Sequence, residues 1–235
     1  MDEVDDLTPT AQDYLKVIWS AVEWGEPPIT TKGLAATFAT TQANVSDTMR
    51  RLDAQGLLIY EPYKPVALTE LGQRLAVQMV RRHRLIETFL SEALGYGPDE
   101  GHDDAERLEH AVSDKLLGRI DRLLGHPDTD PHGDPIPGDD GGWRPRTDTT
   151  RLVDAAPGRY RVARIDADPD RIAHLGRLGV PAGSFVRVEG QPPQLYADLA
   201  PADAAPFDLT RGDRQAIRVR KMPYMPLRSR GRQSA

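Results

Sequence analysis

The sequence predicts a mainly α chain with β, in three parts: a small helical unit closed by a β-hairpin, a set of long amphipathic helices, and a small β-barrel. Three observations carry this. Apolar residues recur at helical spacing up to residue 55 and again over 70–124. Short β-rich runs stand at 57–69, 159–165, 184–190 and 215–221. Between the two classes lies HPDTDPHGDPIPGDDGGWRPRTD (126–148), whose Pro, Gly and Asp content is unsuited to a core and reads as a linker.

Thr8 can cap the first helix and Pro9 suits its first turn. Tyr14, Leu15, Ile18, Trp19 and Val22 follow at helical spacing, and GEPP (25–28) ends the run. A second helix spans about Thr31 to Ala39. A third begins near Thr41, runs through VSDTMRRLDAQ (45–55) and stops at Gly56. LLIYEPYKPVALT (57–69) then gives two β-rich runs around a turn with Pro62 and Pro65. Leu34, Val45 and Leu52 suit a small shared core. Helix, helix, turn, helix and hairpin make a winged helix-turn-helix, which points to DNA binding; a generic α+β unit is the alternative.

Thr69 caps a long helix over 70–94, and GYGPDEG (95–101) breaks it. A helix of about 102–112 follows, and Ser113 caps another over 114–124. Such helices beside a winged helix form a dimer interface or an intramolecular bundle. RYRVARI, SFVRVEG and QAIRVRK, with a helical turn around 168–178, predict the β-barrel, and the tail RSRGRQSA reads as disordered. The expected boundaries are 1–70, 71–125, a linker at 126–148, 149–223, and a basic tail at 224–235.

Composition bounds the chemistry. The chain has 235 residues, room for two or three domains, and no cysteine. Disulfides, thiolate metal sites and cysteine nucleophiles are therefore excluded. No apolar run reaches the roughly 18–20 residues of a membrane span. MDEVDDLTPT lacks the basic and apolar regions of a signal peptide, so a cytoplasmic protein with no membrane partner is expected. A net charge of −6 argues, taken alone, against nucleic-acid binding, but a local basic face can coexist with it.

HDDAERLEHAVSD (102–114) places His102, Glu106, Glu109 and His110 at offsets of zero, four, seven and eight, one face of a helix. Upstream, RRHRLIETF offers His83 and Glu87 at i and i+4. Two helices each presenting His and Glu can enclose metal ions; exposed ion pairs are the alternative. The H-E-x-x-H motif, the E-x-x-H spacing of di-iron bundles, G-x-S-x-G, Walker A and Rossmann patterns are absent. No catalytic residues are assigned, and an enzyme is not expected.

The order of winged helix, H-R-L-x-E, H-D-x-A-x-R-x-E-H-x-x-S-D, the linker's GDPIPG (133–138) and a small β-domain resembles the diphtheria-toxin-repressor family of metal-dependent transcriptional repressors. The resemblance covers nearly the whole chain and implies an SH3-like C-terminal domain. It implies a primary metal site of Asp13, Glu106, Glu109 and His110. It implies an ancillary site of His83, Glu87 and His102, completed from the β-domain by Asp168; Arg171 nearby is cationic and has no lone pair to offer. Iron-sensing members have Met and Cys where this chain has Asp13 and Glu106. Oxygen donors in place of sulfur favour Mn²⁺ over Fe²⁺, so the manganese branch is expected, with two ions per subunit and Fe²⁺ as the alternative. Lys16 departs from the pattern: short manganese sensors have a second acidic ligand there.

In TQANVSDTMRRLDAQG (41–56) the resemblance makes Thr41, Ala43 and Asp47 base-facing. Ala43 offers a methyl to thymine and Asp47 an acceptor to cytosine. Asn44 and Ser46 are small polar neighbours; Lys32, Arg50, Arg51 and Lys64 are expected phosphate contacts, with Tyr63 on the wing. A homodimer on a two-fold double-stranded operator would double these contacts. The expected mechanism is a manganese co-repressor joining the first helix to the dimer domain, the acids repelling and the helix loosening without it. The resemblance implies metal-uptake genes as the targets. The rival readings are an iron-dependent repressor, a metallohydrolase lacking an evident general base, and a Pro-rich-peptide module lacking clustered aromatics.

Overall fold

The computed structural model describes the chain except residues 1–2, 63, 98–99, 143–147, 168, 202 and 223–235. Tyr63, Asp168 and all of the basic tail therefore lie outside the described residues. The chain divides into two compact units, Met1–Thr147 and Asp148–Ala235.

In the first unit, α1 (Pro9–Ser20) starts where Thr8 Oγ1 accepts the Ala11 amide, with proline at its first turn. α2 (Thr31–Thr37) and α3 (Gln42–Ala54) are capped the same way by Thr30 and Thr41. α2 is shorter than expected: Ala39, at φ 47°, has left helical geometry to make the turn into α3. β1 (Leu58–Ile59) and β2 (Ala67–Leu68) pair antiparallel, Leu58 opposite Leu68. α4 (Glu70–Leu94) runs from its Thr69 cap to Gly95, whose left-handed φ of 75° ends it. Leu15, Leu34, Val45, Met49, Leu57, Leu75 and Met79 are buried in one core, so α1, the helix-turn-helix and the first half of α4 fold as one body. α5 (His102–Leu108) and α6 (Asp114–Leu123) cover the second half of α4 through Leu85, Ile86, Leu90, Ala105, Val112 and Leu117.

The helix expected over 102–112 stops at Leu108. Ser113 must adopt extended geometry to cap α6, so the chain turns over 109–112, with the Ala111 and Val112 amides both donating to the Leu108 carbonyl. The linker is also more fixed than its composition suggests. Asp130 and Asp134 are buried, and Arg81 and Arg84 of α4 donate to the carbonyls of Pro137 and Pro135 at 2.6 and 2.7 Å.

The second unit is a five-stranded antiparallel sheet of β3 (Thr149–Arg151), β4 (Gly158–Ile165), β5 (Phe185–Glu189), β6 (Gln194–Ala197) and β7 (Ile217–Lys221), in the order β3-β7-β4-β5-β6. α7 (Pro169–Arg177) and α8 (Arg211–Ala216) accompany it. Tyr160, Val162, Leu175, Val186, Val188, Leu195, Ile217 and Val219 form its core. β3, β6 and α8 escaped the sequence reading: the strands have three and four residues, too few for a periodicity to stand out.

Candidate metal centre

Four segments of the first unit bring acids and imidazoles together. α1 contributes Gln12, Asp13 and Lys16; α4 contributes His83 and Glu87; α5 contributes His102 and Glu106; the turn after it contributes Glu109 and His110. Because α5 ends early, the 102–110 residues do not act as one stripe. Asp13, Glu109 and His110 converge, with ligand atoms all within 4.8 Å of one another, while Glu106 converges instead with His83 and His102. A third group joins Glu87 to Asp130 and His132. Asp130 and His132 were hidden by the linker reading; the D-x-H spacing just before GDPIPG was the available signal.

The orientation of His110 is fixed by Gln12. The Gln12 side chain donates to the carbonyls of Val4 and Leu7 at 2.8 and 3.3 Å, which fixes its amide and leaves Oε1 facing His110 Nδ1 at 2.6 Å. An amide oxygen only accepts, so Nδ1 donates to it, and Nε2 is the nitrogen turned toward the acids. Nε2 lies 3.2 Å from Asp13 Oδ1 and 3.8 Å from Glu109 Oε1. Asp13 Oδ1 is buried and receives no well-formed hydrogen bond. Burial, aided by Glu106 and Glu109 and opposed by His110 and Lys16, pushes the Asp13 carboxyl above its ordinary range. A buried, under-satisfied oxygen beside an oriented imidazole and a fully buried Glu109 fits a divalent cation.

His83 and Glu87 are not an exposed pair: their side chains are 12% and 5% exposed. His83 Nδ1 is 2.6 Å from Glu109 Oε2, and Nε2 is 3.1 Å from Glu87 Oε1. Burial opposes the imidazolium, but these two carboxylates outweigh it and hold His83 up to about 9. Burial likewise opposes the Glu87 anion, yet His102 and His83 hold its carboxyl well below the usual range. His102 Nδ1 lies 2.9 Å from Glu87 Oε1, and that contact raises its own basicity. Asp130 is pushed up to about 7 by burial and by Asp134.

Lys16 changes the picture of the metal-free state. Its Nζ donates to Glu106 Oε1 and Glu109 Oε1, both at 2.6 Å. Burial disfavours the ammonium, but Glu109 and Glu106 more than compensate and raise its pKa. The acids therefore do not simply crowd and repel without an ion, as expected from sequence. Lys16 binds them, and α1 is already held to the segment carrying Glu109 and His110.

The DNA-facing candidates lie on and around α3. Lys32, Thr41, Ala43, Asn44, Asp47, Arg50, Arg51 and Lys64 are exposed, while Ser46 is half-buried and receives a hydrogen bond from Tyr60 at 3.1 Å. Thr41 is the α3 cap, and Asn44 donates to Thr40 Oγ1 at 3.1 Å. Arg50 pairs with Asp47, Lys64 with Glu61, and Arg51 donates to Thr48. Gln42, exposed in the first turn beside Thr41 and Ala43, was missed; its place at the helix start was the signal.

Comparison with known proteins places this geometry. Residues 6–66 match the model of the iron dependent repressor N-terminal DNA binding domain, and 69–138 match that of the iron dependent repressor metal binding and dimerisation domain. The chain is 30% identical over 194 residues to the diphtheria toxin repressor of Corynebacterium diphtheriae, covering 78% of this chain and 85% of that protein. It is 32% identical over 202 residues to the iron-dependent repressor IdeR of Mycobacterium bovis, covering 80% and 87%. Among solved structures, a manganese-dependent transcriptional repressor in complex with manganese matches at TM-score 0.81 and 45% identity, covering 90% of this chain and all of that one. The manganese regulator SloR matches at TM-score 0.75 and 29% identity, covering 92% and 100%. With a winged helix, a helical domain carrying three convergent His/Asp/Glu groups and a C-terminal antiparallel sheet, this chain belongs to the diphtheria-toxin-repressor family of metal-dependent transcriptional repressors.

Proposed function

We propose that the chain is a manganese-dependent repressor whose ion is held between α1 and the segment that follows α5. The observation that carries this is the meeting of Asp13 with Glu109 and His110, residues from the first helix of the DNA-binding domain and from the dimerisation domain. Asp13, Glu109 and His110 would hold one ion, with Glu106 close by. A second would be held around Glu87, whose neighbours are His83 and His102 on one side and Asp130 and His132 on the other. Every donor is oxygen or imidazole nitrogen, a hard set that favours Mn²⁺ over softer competitors. The ion supplies divalent charge shared by acids of both segments. Asp13 contributes the link to the helix-turn-helix, Gln12 orients His110, and by linkage DNA and metal strengthen each other's binding.

The partner is double-stranded DNA read by a homodimer with two-fold symmetry. Leu94, Leu108, Leu116 and Leu123 leave large apolar surface exposed in the region matching a dimerisation domain, and a second copy of this chain would cover it. Thr41, Ala43, Asn44, Ser46 and Asp47 face the bases, and Lys32, Arg50, Arg51 and Lys64 the phosphates, with Tyr63 on the wing. Arg50 must exchange Asp47 for phosphate. The protein acts in the cytoplasm and represses metal-uptake genes; no described helix is long and apolar enough to cross a membrane. Iron dependence is the second reading, supported by iron-dependent relatives.

Fluorescence anisotropy on labelled promoter DNA tests this, starting from chelator-stripped protein and adding Mn²⁺ or, without oxygen, Fe²⁺. Tight binding is expected at lower Mn²⁺ than Fe²⁺. Asp13→Ala should remove the metal response; DNA binding that stays fully metal-dependent in that variant refutes the bridge.

A further inference from the structure

We propose that Lys16 is a tethered competitor of the regulatory ion: its ammonium holds Glu106 and Glu109 in the metal-free chain, and the ion must take Glu109 from it. This rests on the reading of Asp13, Glu109 and His110 as a metal site.

Glu109 Oε1 is contested: it accepts from Lys16 Nζ at 2.6 Å and stands 3.8 Å from His110 Nε2. Lys16 also grips Glu106 at 2.6 Å, a member of the group with His83 and His102, so one ammonium bridges two of the three convergent groups. Its side chain is 10% exposed and the Glu109 side chain is fully buried, so little water screens the contact. Asp13 and Lys16 are three residues apart on α1, the spacing that puts two side chains on one helix face. The same helix thus supplies a metal ligand and the metal's rival. Either cation ties α1 to the turn after α5. Loading therefore exchanges one cation for another, and the ion concentration at which the repressor responds is set by the ammonium's hold on Glu109.

Removing the charge should weaken the metal-free chain and tighten metal binding together. Mn²⁺ binding, followed by the free-ion EPR signal without DNA, is expected to be at least tenfold tighter in Lys16→Met than in wild type, with Lys16→Arg close to wild type. The Tm in chelator should fall in Lys16→Met, and its rise on adding Mn²⁺ should exceed that of wild type. Should Lys16→Met fold only with metal, reductive methylation of wild-type protein reads the same event: Lys16 should be protected in chelator and react faster with Mn²⁺. Unchanged or weaker Mn²⁺ binding in Lys16→Met, or equal protection of Lys16 with and without Mn²⁺, overturns the inference while leaving the co-repressor reading intact. Wild-type protein that takes up no Mn²⁺ overturns the metal site, and the inference falls with it.

Discussion

His83 lies between two carboxylates that can only accept, with Nδ1 2.6 Å from Glu109 and Nε2 3.1 Å from Glu87. Both nitrogens must carry protons to satisfy both, and the imidazolium persists up to about 9. The raised value fixes the sign of the pH effect. In the metal-free chain, the stability that His83 contributes is full below about 6.5 and is lost as pH rises through about 9. A ligand role demands the neutral ring, so a bound ion must displace that proton. Mn²⁺ affinity should climb by up to about tenfold per pH unit between pH 6.5 and 8.5 through His83 alone. Calorimetric titrations in that range check it, and a flat profile would mean that His83 keeps its proton and does not ligate. At Gln12, replacement by Leu removes the acceptor that orients His110. Loss of such a partner costs metal affinity roughly 10–100-fold, and the same titration at one pH would detect it.

At the scale of elements, α4 joins the DNA-binding and metal-binding halves of the first unit, and its start is packed without slack. A methyl group on Gly72 would stand 1.8 Å from the Leu57 carbonyl oxygen, backbone that cannot swing aside. Gly72→Ala should therefore destabilise the unit by roughly 1–3 kcal/mol or more, as overpacking does; denaturant unfolding measures it. Further along α4, Arg84 donates twice to Glu23, at 2.8 and 2.6 Å, and once to the Pro135 carbonyl. Both charged groups are buried, so Arg84→Ala would strand Glu23 in the interior, a loss of about 3–5 kcal/mol. It would also release the segment bearing Asp130 and His132. Weaker binding of the second ion should accompany the lower Tm.

Across the whole molecule, the exposed leucines make a specific demand. Leu116 and Leu123 of α6 are 51% and 68% exposed, and Leu94 and Leu108 are 57% and 47%. Leu116→Asp with Leu123→Asp should shift sedimentation from dimer to monomer and weaken operator binding steeply, because one domain offers few cations to phosphate. Unchanged sedimentation would move the dimer interface to another surface. The C-terminal sheet has its own core and is a compact unit of its own.

Much of this was legible along the chain. Threonine and serine caps, glycine stops and helical periodicity located α1, α3, α4 and α6 because these signals act within a turn or two of the residues that carry them. The His, Glu and Asp motifs marked the metal-binding segment for the same reason. The partners of those residues were not legible. Lys16 meets Glu109 across 93 positions and His110 meets Gln12 across 98, distances over which sequence spacing carries no geometric information. The early end of α5 split an apparent single stripe between two groups, and buried arginines drew Asp130 and His132 out of an apparent linker. The sequence by itself determined most of the helices, the family and the residue types that gather in the metal-binding domain. Only the packing of α1 and of residues 126–142 against α4 decided which acid faces which cation, since burial makes those pairings strong and local pattern cannot specify them.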